Sequence, residues 1–89
     1  MAKTRSPTIL AVARSPKQLG EAMRRQRRRL QLTQASLGER AGLRQATVSA
    51  LESGEARLDT LMQLLAALGL ELVVRVRGGD PTQSVEDIF

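Results

Sequence analysis

The 89-residue chain has no cysteine, histidine, tryptophan or tyrosine, and a single phenylalanine. Without cysteine there is no disulfide framework, and without cysteine or histidine none of the common zinc sites. The missing histidine also removes the usual general base of acyl and phosphoryl transfer, together with any Ser–His or Cys–His pair. One aromatic residue cannot build the stacking platform on which single-stranded nucleic acid is held. No apolar run approaches the roughly 18 residues of a membrane-spanning helix, and the N-terminus lacks the pattern of a secretory signal. The expectation is a cytoplasmic binding module without metal or cofactor, not an enzyme.

What the chain does have is positive charge. Fourteen Lys and Arg face nine Asp and Glu, a net charge of +5. The distribution is uneven. Residues 1–57 carry twelve basic and four acidic side chains, residues 58–77 balance, and residues 78–89 hold three acids and no base. Arg24, Arg25, Arg27, Arg28 and Arg29 crowd into six positions. A basic front suits a polyanion, and an acidic end suits a different partner. Scattered arginines can serve solubility alone, but such clustering argues for a binding face. The length suits one small domain.

Residues 1–14 read as a flexible arm with a short apolar run, Ile9 to Ala13. Ser15-Pro16 opens a helix: serine caps, proline suits the first turn, and Gln18 stands where a capping box needs it. Leu19, Met23, Gln26 and Leu30 recur on one face. Thr33 caps a second, short helix with Leu37 and Ala41 facing inward, and Gly42 ends it. A third runs from Gln45 to Ser53, with Val48 and Leu51 inward. A fourth runs from Leu58 to Leu68, with Leu61, Leu64, Leu65 and Leu68 on one side. Glu71 to Arg77 alternates with β-branched residues and reads as a strand, Leu72, Val74 and Val76 on one face and Val73, Arg75 and Arg77 on the other. Gly78-Gly79-Asp80-Pro81 stops it, leaving residues 78–89 as an acidic, flexible tail.

Two short helices joined by a tight turn at Gly42 make a helix-turn-helix, whose later helix presents polar residues in a geometry that fits a major groove. Gln45 opens that helix facing outward, and its amide matches the N6 and N7 of adenine. Ala46 and Thr47 offer methyls to thymine, and Thr47 can alternatively bond phosphate. Ser49, one turn beyond Gln45, can reach a phosphate or a base edge. Arg44 suits guanine or a phosphate. Arg28 and its exposed neighbours form a solvated basic face near phosphates. For each of these the plain alternative is a solvent-exposed polar side chain. Glu52 and Glu55 are three apart, but with no histidine or ligand set beside them they carry no acid–base chemistry.

Residues 15–70 resemble the Xre/Cro-type helix-turn-helix family. The resemblance is carried by Leu19-Gly20-Glu21, Arg27, Leu32-Thr33-Gln34, Leu37, Arg40-Ala41-Gly42-Leu43, Gln45, Thr47-Val48-Ser49, Leu51-Glu52, Gly54, Leu58-Asp59-Thr60-Leu61 and Ala67-Leu68-Gly69. Within that family the chain is most similar to the HipB-type antitoxins, through Arg44-Gln45-Ala46-Thr47-Val48-Ser49, the strand after the fourth helix, and the short tail ending in an aromatic residue. Arg44 departs from the small polar residue common at that place, which opens the capping of the third helix to question and frees Arg44 to reach DNA. The resemblance implies an all-α, lambda-repressor-like domain of four to five helices. It implies that Gln34 and its backbone N–H hold a phosphate at the start of the second helix, and that Arg27 and Glu52 form a buried structural ion pair.

A lone strand leaves its ladder groups unpaired. The Ile9 to Ala13 run is one candidate partner, but the simplest is the same segment of a second chain, with Leu72, Val73, Val74, Arg75 and Val76 forming the contact about a two-fold axis. Such a homodimer sets two recognition helices about 34 Å apart, the spacing of a palindromic operator. The family resemblance adds the expectation of an antitoxin that represses its own operon and binds a HipA-like kinase toxin. Ile88 and Phe89 in the tail are expected to insert into an apolar pocket of that toxin, with Glu86 and Asp87 at its rim. The alternatives are a tail that only aids solubility, a stand-alone repressor without a toxin, and an interaction module that no longer reads DNA. Nucleoid association in the cytoplasm follows from the DNA-binding reading.

Overall fold

The structure, a computed structural model, describes residues 8–78. It contains four helices in chain order: α1 (Pro16–Arg29), α2 (Gln34–Ala41), α3 (Gln45–Glu52) and α4 (Leu58–Ala67). None is long and apolar enough to cross a membrane.

The ends of these helices follow from local chemistry. Ser15 adopts an extended conformation and its hydroxyl accepts from the Gln18 backbone N–H at 3.1 Å. The reciprocal half of the expected capping box goes elsewhere: Gln18 Oε1 accepts from the backbone N–H of Arg14, one residue earlier than Ser15. A complete capping box stands instead at α2. The Thr33 hydroxyl accepts from the Ser36 N–H at 3.0 Å, and the Ser36 hydroxyl accepts from the Thr33 N–H at 2.9 Å. Gly42 ends α2 in the left-handed region (φ 72°), which lets the Leu43 N–H return to the Gly38 carbonyl at 2.8 Å and closes the turn between α2 and α3. α3 stops at Glu52 and α4 at Ala67, each one residue short of the span read from the sequence, because Ser53 and Leu68 are capping residues.

One core joins all four helices. Met23 of α1, Leu37 of α2, Val48 and Leu51 of α3, and Leu61, Leu64 and Leu65 of α4, with Leu68 just beyond it, pack as a single buried cluster. Each such side chain contributes roughly 1.5–3 kcal/mol on removal from water. Gln26 sits on the same face of α1 and is half-buried, its Nε2 donating to the Leu68 carbonyl at 3.1 Å. Leu30, expected on that face, is 41% exposed. It is the C-cap of α1, where the helical period no longer sets direction. α3 packs against both α1 and α2. The approach to α1 is close: a Cβ on Gly20 would meet the Leu51 carbonyl oxygen at 2.7 Å, and the Glu52 carbonyl oxygen closer still.

Among the described residues there is no β-strand. Residues 71–77 form neither helix nor strand, and Val74 is 91% exposed although the alternation would set it on the covered face with Leu72 and Val76. A strand exists by its hydrogen-bond ladder, and among the described residues no segment is paired with this one. Ile88 and Phe89, with the rest of 79–89, lie outside the described residues, as does the start of the arm, 1–7.

Candidate nucleic-acid interface

α3 has a buried side and an open side. Val48, Leu51 and Glu52 are buried against the other helices. Gln45, Ala46 and Ser49 are exposed, at positions i, i+1 and i+4 that share one face. Thr47 is half-buried, so its methyl and hydroxyl stand at the border of that face. Arg44 is the N-cap of α3 in an extended conformation and makes no side-chain capping bond; its guanidinium is exposed. The structure therefore brings Arg44, Gln45, Ala46 and Ser49 together at the N-terminal, outward part of α3.

That face is held at its angle from two sides. A Cβ on Gly38 would meet the Leu43 carbonyl oxygen at 2.6 Å, so only a glycine lets α2 come this close to the turn before α3. On the other side stands the ion pair. Arg27 Nε donates to Glu52 Oε2 at 2.6 Å and Nη2 to Oε1 at 3.1 Å, while Nη1 donates to the Leu32 carbonyl at 2.8 Å. The two residues are 9% and 8% exposed. One guanidinium on α1 thus ties the last residue of α3 to the residue before the α2 cap. Two charges removed from water need this degree of satisfaction, and no buried side-chain nitrogen or oxygen among the described residues lacks a partner.

Gln34 is the first residue of α2 and is half-buried. Its Nε2 donates to Glu52 Oε1 at 3.2 Å, a contact that sequence reasoning missed because the two positions lie 18 apart. Arg28 is exposed in the last turn of α1, beside the exposed Arg24, Arg25 and Arg29. A basic last turn also complements the helix dipole. Reading the sequence also overlooked Arg57 and Thr60. They line a shallow, mostly apolar groove together with Ala46, Thr47, Ala50 and Ala56 on the flank of α3. Their sequence signals were the placement of Arg57 just before α4 and of Thr60 within the Leu58-Asp59-Thr60-Leu61 motif.

The helix-turn-helix family model matches residues 23–74, more than half of the chain, and the chain belongs to that family. Its character within the family is Xre-type. It is 43% identical over 54 residues to the Mycobacterium tuberculosis protein named “Putative antitoxin HigA2”, an alignment covering 57% of this chain and 54% of that one. The chain thus spans about half the length of this curated relative. Among solved structures it is similar to a HipA–HipB–O2–O3 complex, with a TM-score of 0.68 and 31% identity, covering 74% of this chain and 96% of that one. A HipB–O4 20mer complex gives a TM-score of 0.69 at 31% identity, with the same coverage.

Proposed function

We propose that this protein is a sequence-specific double-stranded-DNA-binding antitoxin, which acts as a homodimer, represses its own toxin–antitoxin operon and binds a HipA-like kinase toxin. The observation that carries the DNA reading is the open face of α3. Its amide, methyl and hydroxyl groups project from a helix whose other side is locked by Val48, Leu51 and the Arg27–Glu52 pair. Gln45 reads a base, with Ala46, Thr47 and Ser49 beside it, while Arg44, Gln34 and Arg28 hold phosphates or a flanking base. The exposed apolar segment from Leu72 to Val76 supports pairing with a second copy, which turns the lone recognition helix into two and matches a palindromic site. The names of the similar proteins, an antitoxin and HipB in complex with HipA, support the toxin partner. In this reading Ile88 and Phe89 insert into the toxin.

Footprinting of the DNA upstream of the gene, with a pull-down from the host, tests this. The expected result is a protected two-fold-symmetric site and a captured kinase-type protein. Protection without a captured kinase leaves a stand-alone repressor, and no protection refutes the DNA reading. Removing residues 85–89 should leave operator binding unchanged and weaken toxin binding at least about tenfold, or 1.4 kcal/mol. Equal affinity by calorimetry would leave the tail a solubility role.

A further inference from the structure

We infer that Glu52, held by Arg27, is a positioning residue for DNA: it fixes the side-chain amide of Gln34 so that one N–H remains aimed at a backbone phosphate. The inference rests on the DNA-binding reading above and assigns the buried ion pair a role beyond stability.

The argument begins with donor and acceptor counts. A carboxylate only accepts hydrogen bonds, and a primary amide has two N–H donors and one accepting oxygen. The contact at 3.2 Å between Gln34 and Glu52 Oε1 therefore places the NH2 end, not the oxygen, toward α3. The orientation follows from chemistry, because the flipped amide would set its oxygen against the carboxylate. One N–H is taken by Glu52, and the other is left over. A phosphodiester oxygen also only accepts, so the remaining N–H is the group a phosphate requires.

Glu52 is itself immobile. It is 8% exposed, and both of its oxygens accept from Arg27, at 2.6 and 3.1 Å. Arg27 is anchored in turn by the Leu32 carbonyl at 2.8 Å, next to the Thr33 cap of α2. The chain of contacts runs from α1 through the end of α3 to the first residue of α2. A free glutamine has three rotatable side-chain bonds and gives up rotamer freedom on binding. Gln34 has surrendered that freedom before DNA arrives, which strengthens a neutral hydrogen bond that would otherwise add little.

The role differs from that of Arg28 in a measurable way. Gln34 is uncharged, so its phosphate contact releases no counterion and leaves the salt slope unaltered. The test uses the full-length dimer and two duplex probes, the region upstream of its own gene and a random sequence, with anisotropy read over a salt series. Gln34→Ala should weaken both duplexes about threefold to tenfold, the worth of one hydrogen bond, at unchanged salt slope. The apolar pair Arg27→Met with Glu52→Leu removes both charges together and should show the same loss, with Gln34→Ala adding nothing in that background. Independent, multiplying losses would overturn the inference, as would wild-type affinity in the apolar pair. Side-chain amide NMR of the wild-type protein gives a measurement that needs no variant to fold. One Gln34 Nε2 proton should exchange slowly with solvent; two protons exchanging as in free glutamine would overturn it. Wild-type protein that binds neither duplex would instead refute the DNA reading itself.

Discussion

Glu52→Ala strands the Arg27 guanidinium. In the native structure that group makes three hydrogen bonds while 9% exposed, two of them to Glu52. The substitution removes both, together with the bond from Gln34, and leaves a buried cation with the Leu32 carbonyl alone. Removing one partner of a buried pair costs about 3–5 kcal/mol. A chain of this length has total stability on the order of 4–13 kcal/mol, so the loss is about a quarter or more of it. At roughly 4–8 °C per kcal/mol for a small domain, the melting temperature should fall by about 12–40 °C. The assay is equilibrium urea unfolding followed by far-UV circular dichroism, at one fixed protein concentration because the proposed self-association would add to apparent stability. Arg27→Met combined with Glu52→Leu should recover most of the loss, since an apolar pair of similar volume leaves no charge stranded. A loss below about 1 kcal/mol for Glu52→Ala alone would refute the reasoning, because it would mean that water reaches Arg27.

Gln45→Ala should lose about 1–3 kcal/mol of discrimination at one base position, whereas Arg28→Ala should weaken all sequences alike and lower the salt slope by about one; a selection on randomised duplexes separates them, and unchanged preference for Gln45→Ala would remove Gln45 from base reading. Gly20→Ala forces a Cβ into the Leu51 and Glu52 carbonyls, so α1 and α3 must separate; a loss of about 1–3 kcal/mol is expected from overpacking, and a neutral melt would show that the two helices slide freely. Val74→Pro removes a ladder donor and fixes φ at an unsuitable value for a paired strand. Sedimentation should then show monomer, and an intact dimer would exclude pairing through residues 71–77.

Much of this molecule is legible one stretch at a time. Ser15 and Thr33 cap because a short oxygen side chain meets an amide within its own helix, Gly42 ends α2 because it enters a left-handed conformation readily, and the spacing of Leu61, Leu64, Leu65 and Leu68 marks the covered side of α4 and its cap. The outward stance of Gln45, Ala46 and Ser49 follows likewise from Val48 and Leu51 facing in. These are relations within about one helical turn, which sequence spacing reports directly. Other features are decided where distant segments meet. Gln34 finds Glu52 across 18 positions, and Gln26 finds the Leu68 carbonyl across 42. The chain from 71 to 77 carries a strand's alternation yet forms no strand alone. Periodicity states which face a residue would use, but a hydrogen bond or a ladder needs its partner within about 3 Å, and only the packing of α1, α2 and α3 sets that distance.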